Sequence, residues 1–371
     1  MFKDVSSAAL EFWLRDRYFG ATIDISSSGT PPFRLDELRT LLGIESAELD
    51  QLGFEDSPST GSDRLRSAIS RRYSIGDSHK IMVTHGSSEA LFLAISALIT
   101  PGDEIVVMEP AYSSLISIAR ALGAIVHPWR LDYSGDGADL AGLEKIVSGH
   151  TRAIIVNFPH NPTGQSLQLE QFLHLMNFVN KSGCYLLWDG AFSELVHDSA
   201  PLPDPTNHVE RSMSFGTLSK SYGLPGLRIG WCIAEAPIID DMVRLRDYVT
   251  LSCSPIAEHL ASRVLEHGDV VVRDRVANAQ RNRSTLLEWA AGNAHSVQLE
   301  LGSGGVTIFP EIDVPDTRAM CEELYDRHRV LVVPGDCFGA GNRVRIGYGG
   351  STEELKRGLG HISDHLRQRR R

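Results

Sequence analysis

Lysine is scarce in this chain: the 36 basic residues include only six lysines, Lys3, Lys80, Lys145, Lys181, Lys220 and Lys356. Positive charge of either kind is outweighed by acids. The net charge of −11 argues against a nucleic-acid surface, because phosphate-backbone binding needs clustered cations. Arg367, Arg369, Arg370 and Arg371 make only a short basic tail, read as a solvated end. The five cysteines, Cys184, Cys232, Cys253, Cys321 and Cys337, are odd in number and contain no C-x-x-C pair. Neither a metal site nor a disulfide framework is indicated, and a reducing cytoplasm is the expected location. No apolar run reaches membrane-spanning length, and residues 1–20 mix acids and arginines with their apolar residues, so no signal-peptide core is read there. Repeats and low-complexity segments are also missing. What remains is ordinary globular composition, 42% hydrophobic and 22% charged over 371 residues, enough for two or three domains.

What is present alternates in type. Strand-like runs at 81–83, 104–108, 125–130, 151–157, 185–188, 212–215 and 228–233 are separated by helical ones. That order predicts an α/β protein whose mainly parallel sheet is covered on both faces, with ligands at the C-terminal ends of the strands. A long helical region is expected over 236–291, broken by a polar stretch at 249–254 near the site. Residues 304–371 read as a small α+β domain: a strand at 306–309, a helix at 316–327, a strand at 330–333, and a last strand carrying Arg343 and Arg345. At the other end, Leu10, Trp13, Leu14 and Tyr18 recur at helical spacing and predict an amphipathic helix over 7–18. The expected division is an N-terminal arm with part of the small domain (1–53), a large domain (54–270) and a small C-terminal domain (271–371).

The chemistry centres on residues 212–231, SMSFGTLSKSYGLPGLRIGW, with Lys220 in the middle. A side chain that condenses with a carbonyl must be lysine, since a guanidinium is not deprotonated in a protein. Thr217 and Arg228 flank it with a hydroxyl and a planar cation, residue types that hold a phosphate while the amine reaches another part of the same molecule. Residues 222–226 form a turn. Upstream, Thr84-His85-Gly86-Ser87-Ser88 joins a strand to an apolar helix, so Ser87 and Ser88 sit at a helix N-terminus suited to an anion. Tyr112, Asn161 and Asp189 each follow a predicted strand. Taken alone, Asp189 reads as an ordinary turn aspartate.

Together these motifs resemble the fold-type-I pyridoxal-phosphate enzymes, the aspartate-aminotransferase-like superfamily, over nearly the whole chain. The resemblance implies pyridoxal 5′-phosphate as cofactor. It implies Lys220 as the residue that carries the cofactor, Asp189 as partner of the ring nitrogen, Tyr112 stacked on the ring and Asn161 on the phenolate oxygen. Ser87, Ser88, Thr217 and Arg228 would hold the phosphate, and Arg345, with Arg343 as alternate, the substrate α-carboxylate. A glycine like Gly29 lines the substrate site in this superfamily. The same resemblance implies a homodimer with shared active sites, into which the apolar stripe of the N-terminal helix is expected to pack. Two positions depart from the pattern: Phe54 where a partner-reaching tyrosine is usual, and Phe192 where typical aminotransferases have a tyrosine.

Flanking segments narrow the resemblance. FWLRDRYF, DISSSG, THGSSEAL, VNFPHNPTG and LLWDGAF are similar to the capreomycidine synthase group, pyridoxal-phosphate enzymes that dehydrate and cyclise a hydroxylated arginine. This implies a lyase-type cyclase acting on 3-hydroxy- or dihydroxyarginine in antibiotic biosynthesis, with capreomycidine or a streptolidine-type precursor as product. Thr30-Pro31-Pro32-Phe33 differs from the histidine-containing loop of that group, which leaves the hydroxylation pattern open. An aminotransferase is the other enzymatic reading. A non-catalytic regulator is disfavoured because Lys220, Asp189, Asn161 and Arg345 are all present. A guanidinium that closes a ring needs a carboxylate to hold it. Glu11, helped by Ser26 and Ser28, is the expected clamp, ahead of Asp24, Glu55, Asp56 and Glu194.

Overall fold

In the central strands consecutive residues are apolar rather than alternating, the pattern of a sheet buried on both faces. The computed structural model describes residues 5–131 and 138–368. Its main sheet has seven strands: β1 (Ile81–Thr84), β2 (Glu104–Glu109), β3 (Ile125–Arg130), β4 (Thr151–Asn157), β5 (Tyr185–Asp189), β6 (Ser212–Thr217) and β7 (Gly230–Ile233). Their order is β1-β7-β6-β5-β4-β2-β3. β7 runs antiparallel to both neighbours and the other pairings are parallel.

Sequence neighbours feed opposite cores. Val107, Ile155 and Leu187 pack with helix Ser87–Leu98 on one face, while Val106, Ile154 and Leu186 pack with helix Leu169–Ser182 on the other. Burying such side chains contributes about 1.5–3 kcal/mol each, so a charge at either set would disrupt the sheet. A third core joins Val83 and Trp231 to helices Asp63–Tyr73 and Pro255–Glu266.

Three small sheets form around the last strand and the N-terminal segment. Ile23–Asp24 pairs with Val330–Leu331, and Val344–Gly347 lies between Thr307–Ile308 and Val333–Pro334. Leu355, Leu359, Ile362 and Leu366 form the buried stripe of helix Thr352–Gln368 against this core. Helix Gly268–Gly292 spans residues 270 and 271 without a break.

Several local expectations change. The N-terminal helix is shorter, Ala9–Arg15, followed by a 3₁₀ turn at Tyr18–Gly20. Its stripe is buried in its own chain: Trp13 Nε1 donates to Val332 O at 2.9 Å, and the Arg17 guanidinium lies 3.9 Å from the Trp13 ring. Of the stripe, Leu10 and Trp13 are buried while Tyr18 stays exposed, as do Val5, Phe12 and Phe19. Arg228 is not in a strand. It follows the turn Pro225–Leu227 with φ of +55°, and β7 opens two residues later. The 236–291 region is three helices, Ala236–Arg246, Pro255–Glu266 and Gly268–Gly292. The break between the first two does not line the site cavity. Instead Thr250 hydrogen-bonds Glu89 beneath helix Ser87–Leu98. In the basic tail, Arg369, Arg370 and Arg371 lie outside the described residues.

Candidate active site

The C-terminal ends of β4, β5 and β6 face a cavity of about 470 Å³, closed by the N-terminal helix, the 26–32 loop and the last strand. The N-terminal segment contributes Glu11, Ser26, Ser28 and Gly29 to its wall. The large sheet and its loops contribute Ser87, Ser88, Tyr112, Asn161, Asp189, Thr217, Lys220 and Arg228, and Arg345 enters from the last strand. Residues more than three hundred positions apart in sequence therefore share one chamber.

Lys220 Nζ donates to Ser28 Oγ at 3.1 Å. Desolvation lowers its pKa to about 8; Arg345 and Arg228 push the same way, opposed by Glu11 and Asp189. Asp189, at the end of β5, is buried and accepts the Ala191 N–H at 3.1 Å. Burial raises it to about 6, against that hydrogen bond and the pull of Lys220. Arg345 is 2% exposed, and burial lowers it to about 10. Its Nη1 donates to Asn161 Oδ1 at 3.1 Å and its Nη2 to Ser26 O at 2.8 Å, while Nε has no partner. A buried guanidinium with only neutral partners is an incomplete ion pair, and a carboxylate completes it. Arg343 turns away, donating to Phe309 O and lying 3.5 Å from Glu311.

At the other end, Gly86 (φ +79°) leads into helix Ser87–Leu98, whose first-turn N–H groups are free of helical partners. The positive φ favours glycine at Gly86, and a side chain there would press on Arg228 Nη2 at 2.6 Å. Thr217 Oγ1 and Ser219 Oγ, 2.9 Å apart, complete the wall.

The model of the aminotransferase class I and II family matches residues 43–362. The chain belongs to that family. It is 48% identical over 373 residues to the capreomycidine synthase of Streptomyces vinaceus, covering 98% of this chain and 96% of that one. It is 26% identical to an arginine–pyruvate transaminase of Pseudomonas aeruginosa, over 93% and 90% of the two chains. Among solved structures it superposes on a PLP-dependent cyclase, OrfR, with a TM-score of 0.94 and 38% identity, covering 98% of each chain.

The protein is a pyridoxal-phosphate-dependent enzyme of fold type I, and the residues present fit that cofactor. A low-pKa amine, a buried carboxylate without an ion-pair partner among the described residues, and a helix N-terminus beside an arginine answer its aldehyde, ring nitrogen and phosphate. Phe192 is buried in the cavity wall and offers no hydroxyl. Phe54 is 85% exposed and outside the wall.

Among the described residues lining the cavity, Glu11 and Asp189 are the carboxylates. Glu194 is spent elsewhere, 2.7 Å from Arg72 and accepting from Tyr222 at 3.1 Å beside a separate cavity. Glu55 and Asp56 are off the wall, and Asp24 faces an adjoining chamber. Ser26 departs from its expected use. Its hydroxyl donates to Asp24 Oδ1 at 2.6 Å, so what it presents to the site is the carbonyl bound by Arg345.

Two residues that pattern reading passed over hold the site together. Asn157 donates to Asp189 O at 2.9 Å and accepts the Asn161 N–H at 2.8 Å. His160 lies 2.7 Å from both Pro110 O and Thr163 Oγ1. Burial lowers it to about 4, so it is neutral and ties the Asn161 loop to the Tyr112 loop. The signal for Asn157 was available, as a polar residue ending an apolar strand. His160 gave none, because its partner Pro110 is fifty residues away.

Proposed function

We propose that this chain is a pyridoxal-phosphate-dependent cyclase of the lyase type that removes water from a hydroxylated L-arginine and closes its guanidine into a ring, in antibiotic biosynthesis. The observation that carries this reading is Glu11: once Asp189 is assigned to the cofactor, it is the carboxylate left on the cavity wall to hold a guanidinium. The similarity to a capreomycidine synthase and to a cyclase of known structure supports the same class of reaction.

Bound pyridoxal phosphate supplies an electron sink for the substrate α-carbon. Asp189, the buried carboxylate at the end of β5, would keep a proton on the ring nitrogen of that cofactor. Tyr112 gives a ring face, and Asn161 has its Nδ2 free for the phenolate oxygen because its Oδ1 is taken by Arg345. Ser87, Ser88, Thr217 and Arg228 hold the phosphate. Arg345 binds the α-carboxylate beside the backbone of Gly29. Lys220, near 8, works as base on the α-proton and as acid afterwards. Glu11 holds the guanidinium and takes up its proton as the ring closes. Overall a C–O bond breaks, a C–N bond forms, one water leaves, and the α-nitrogen is kept.

The enzyme is proposed to work in the cytoplasm, where its five free cysteines stay reduced, as a homodimer that covers Phe12, Phe19 and Phe54. Incubation with 3-hydroxyarginine and no 2-oxo acid tests the function. A product one water lighter with all nitrogen retained is expected; a keto acid would mark a transaminase instead.

A further inference from the structure

Lys220 is gripped at both ends by one short loop. Thr30 N and Thr30 Oγ1 donate to Lys220 O at 3.1 and 2.9 Å, and Lys220 Nζ donates to Ser28 Oγ at 3.1 Å. The loop itself is fixed from the other side. Arg345 holds Ser26 O, Gly347 N donates to Ile25 O at 2.8 Å, and Ser27 O presses against Gly347 where a side chain would collide. Gly29 packs on Lys220, a Cβ there lying 3.3 Å from Ser219 O. Ser28 is 7% exposed on the cavity wall, so its hydroxyl has little freedom to leave the lysine.

We propose that Ser28 is a positioning residue for the catalytic lysine: it holds the Lys220 amine over the substrate α-carbon whenever that amine is free of the cofactor. The loop that supplies it is also bound by Arg345, so the carboxylate-binding arginine and the proton-carrying lysine are set relative to one another through residues 26–30. The charged groups that bear on Lys220 are Arg345, Glu11, Asp189 and Arg228, each on a different element. None of them is its direct hydrogen-bond acceptor; Ser28 is. A hydroxyl that accepts from the ammonium favours its charged form and restricts its rotamers. The inference deepens the assignment of Lys220 as the base and depends on it, but does not depend on which product the enzyme makes.

The test uses L-arginine, which has no hydroxyl to lose, so proton transfer is read apart from cyclisation. Exchange of its α-hydrogen in deuterium oxide is followed by NMR for wild type, Ser28→Ala and Ser28→Thr, with circular dichroism and thermal midpoints verifying the fold. Ser28→Ala should slow exchange about tenfold at saturating arginine, as a misplaced base does, with the half-saturating concentration unchanged. Ser28→Thr should restore most of the rate. In the cofactor-free full-length chain, acetylation of Lys220 against pH, read by peptide mass, should show a midpoint lower by about half a unit in Ser28→Ala. Wild-type exchange and an unmoved midpoint in Ser28→Ala would overturn the proposal. Wild-type enzyme that exchanges arginine yet releases no water from hydroxyarginine would instead overturn the cyclase function and leave Ser28 in place.

Discussion

Tyr112 donates its phenolic hydrogen to Glu11 Oε1 across 2.9 Å, joining the residue assigned to the cofactor ring with the one assigned to the substrate guanidinium. The bond crosses from the loop after β2 to the N-terminal helix. Only one carboxylate oxygen is used by the tyrosine. The other is left for a cation, and loss of the charge is felt on both sides.

Glu11→Gln should therefore keep the visible absorption of the lysine-linked cofactor while losing preference for hydroxyarginine over small amino acids. A hydrogen bond to a charged group is worth about 1.5–3 kcal/mol, so kcat/KM for hydroxyarginine should fall roughly ten- to hundredfold. Steady-state kinetics on both substrate classes measures this. An equal fall on both, or none, would remove Glu11 from the guanidinium site.

Asp189 carries a pH prediction. Its pKa rises from 3.8 to about 6 because burial penalises the charged form. The unfolded chain therefore ionises first, and the cofactor-free protein loses stability as pH climbs through this window, by about 3 kcal/mol above pH 6. Asp189→Asn should stabilise the cofactor-free chain at pH 7 and leave it unchanged near pH 4, in paired denaturant titrations. In the cofactor-loaded enzyme the same change should slow α-hydrogen exchange about a thousandfold, the loss of roughly 4 kcal/mol of charge stabilisation.

The orphaned Nε of Arg345 marks the carboxylate site. Arg345→Lys should raise KM about a hundredfold, since a lysine cannot make the bidentate contact. Arg343→Lys, which alters a group bound to Phe309 O and Glu311, should change KM less than about twofold.

Phe192 lines the cavity with no hydroxyl, at the position where the resemblance to aminotransferases implies a tyrosine. Phe192→Tyr should raise keto-acid formation severalfold in the presence of pyruvate, measured by chromatography. An unchanged ratio of keto acid to cyclic product would mean that the missing hydroxyl does not govern the reaction's course.

The sheet was legible because its strands are apolar runs that end on polar residues, and a parallel sheet puts those ends together. Tyr112, Asn161 and Asp189 came into view that way, whereas Asn157, which ends such a run, was passed over. Arg345 was readable only through family resemblance, since no local pattern separates it from Arg343. What could not be read depends on contacts far apart in the chain. Ser26 turns its hydroxyl to Asp24 and its carbonyl to Arg345, and Glu194 is taken by Arg72, 122 residues away. The N-terminal stripe looked like a dimer surface because its intramolecular partner, Val332, lies 319 residues on. Arg228 reads as strand by alternation, yet the turn before it sets a left-handed backbone.

In the proposed reaction water leaves while the α-nitrogen stays and a guanidine nitrogen closes on carbon. The most direct measurement is one turnover series with α-¹⁵N-labelled 3-hydroxy-L-arginine, purified enzyme and no 2-oxo acid, followed by mass spectrometry and ¹⁵N-resolved NMR of the product. The expected product is a cyclic amino acid that has lost one water, retains the label on its α-carbon and carries a new bond from a guanidine nitrogen to the carbon chain. Label appearing in ammonia or on a second amino acid, with an open-chain keto product, would contradict it.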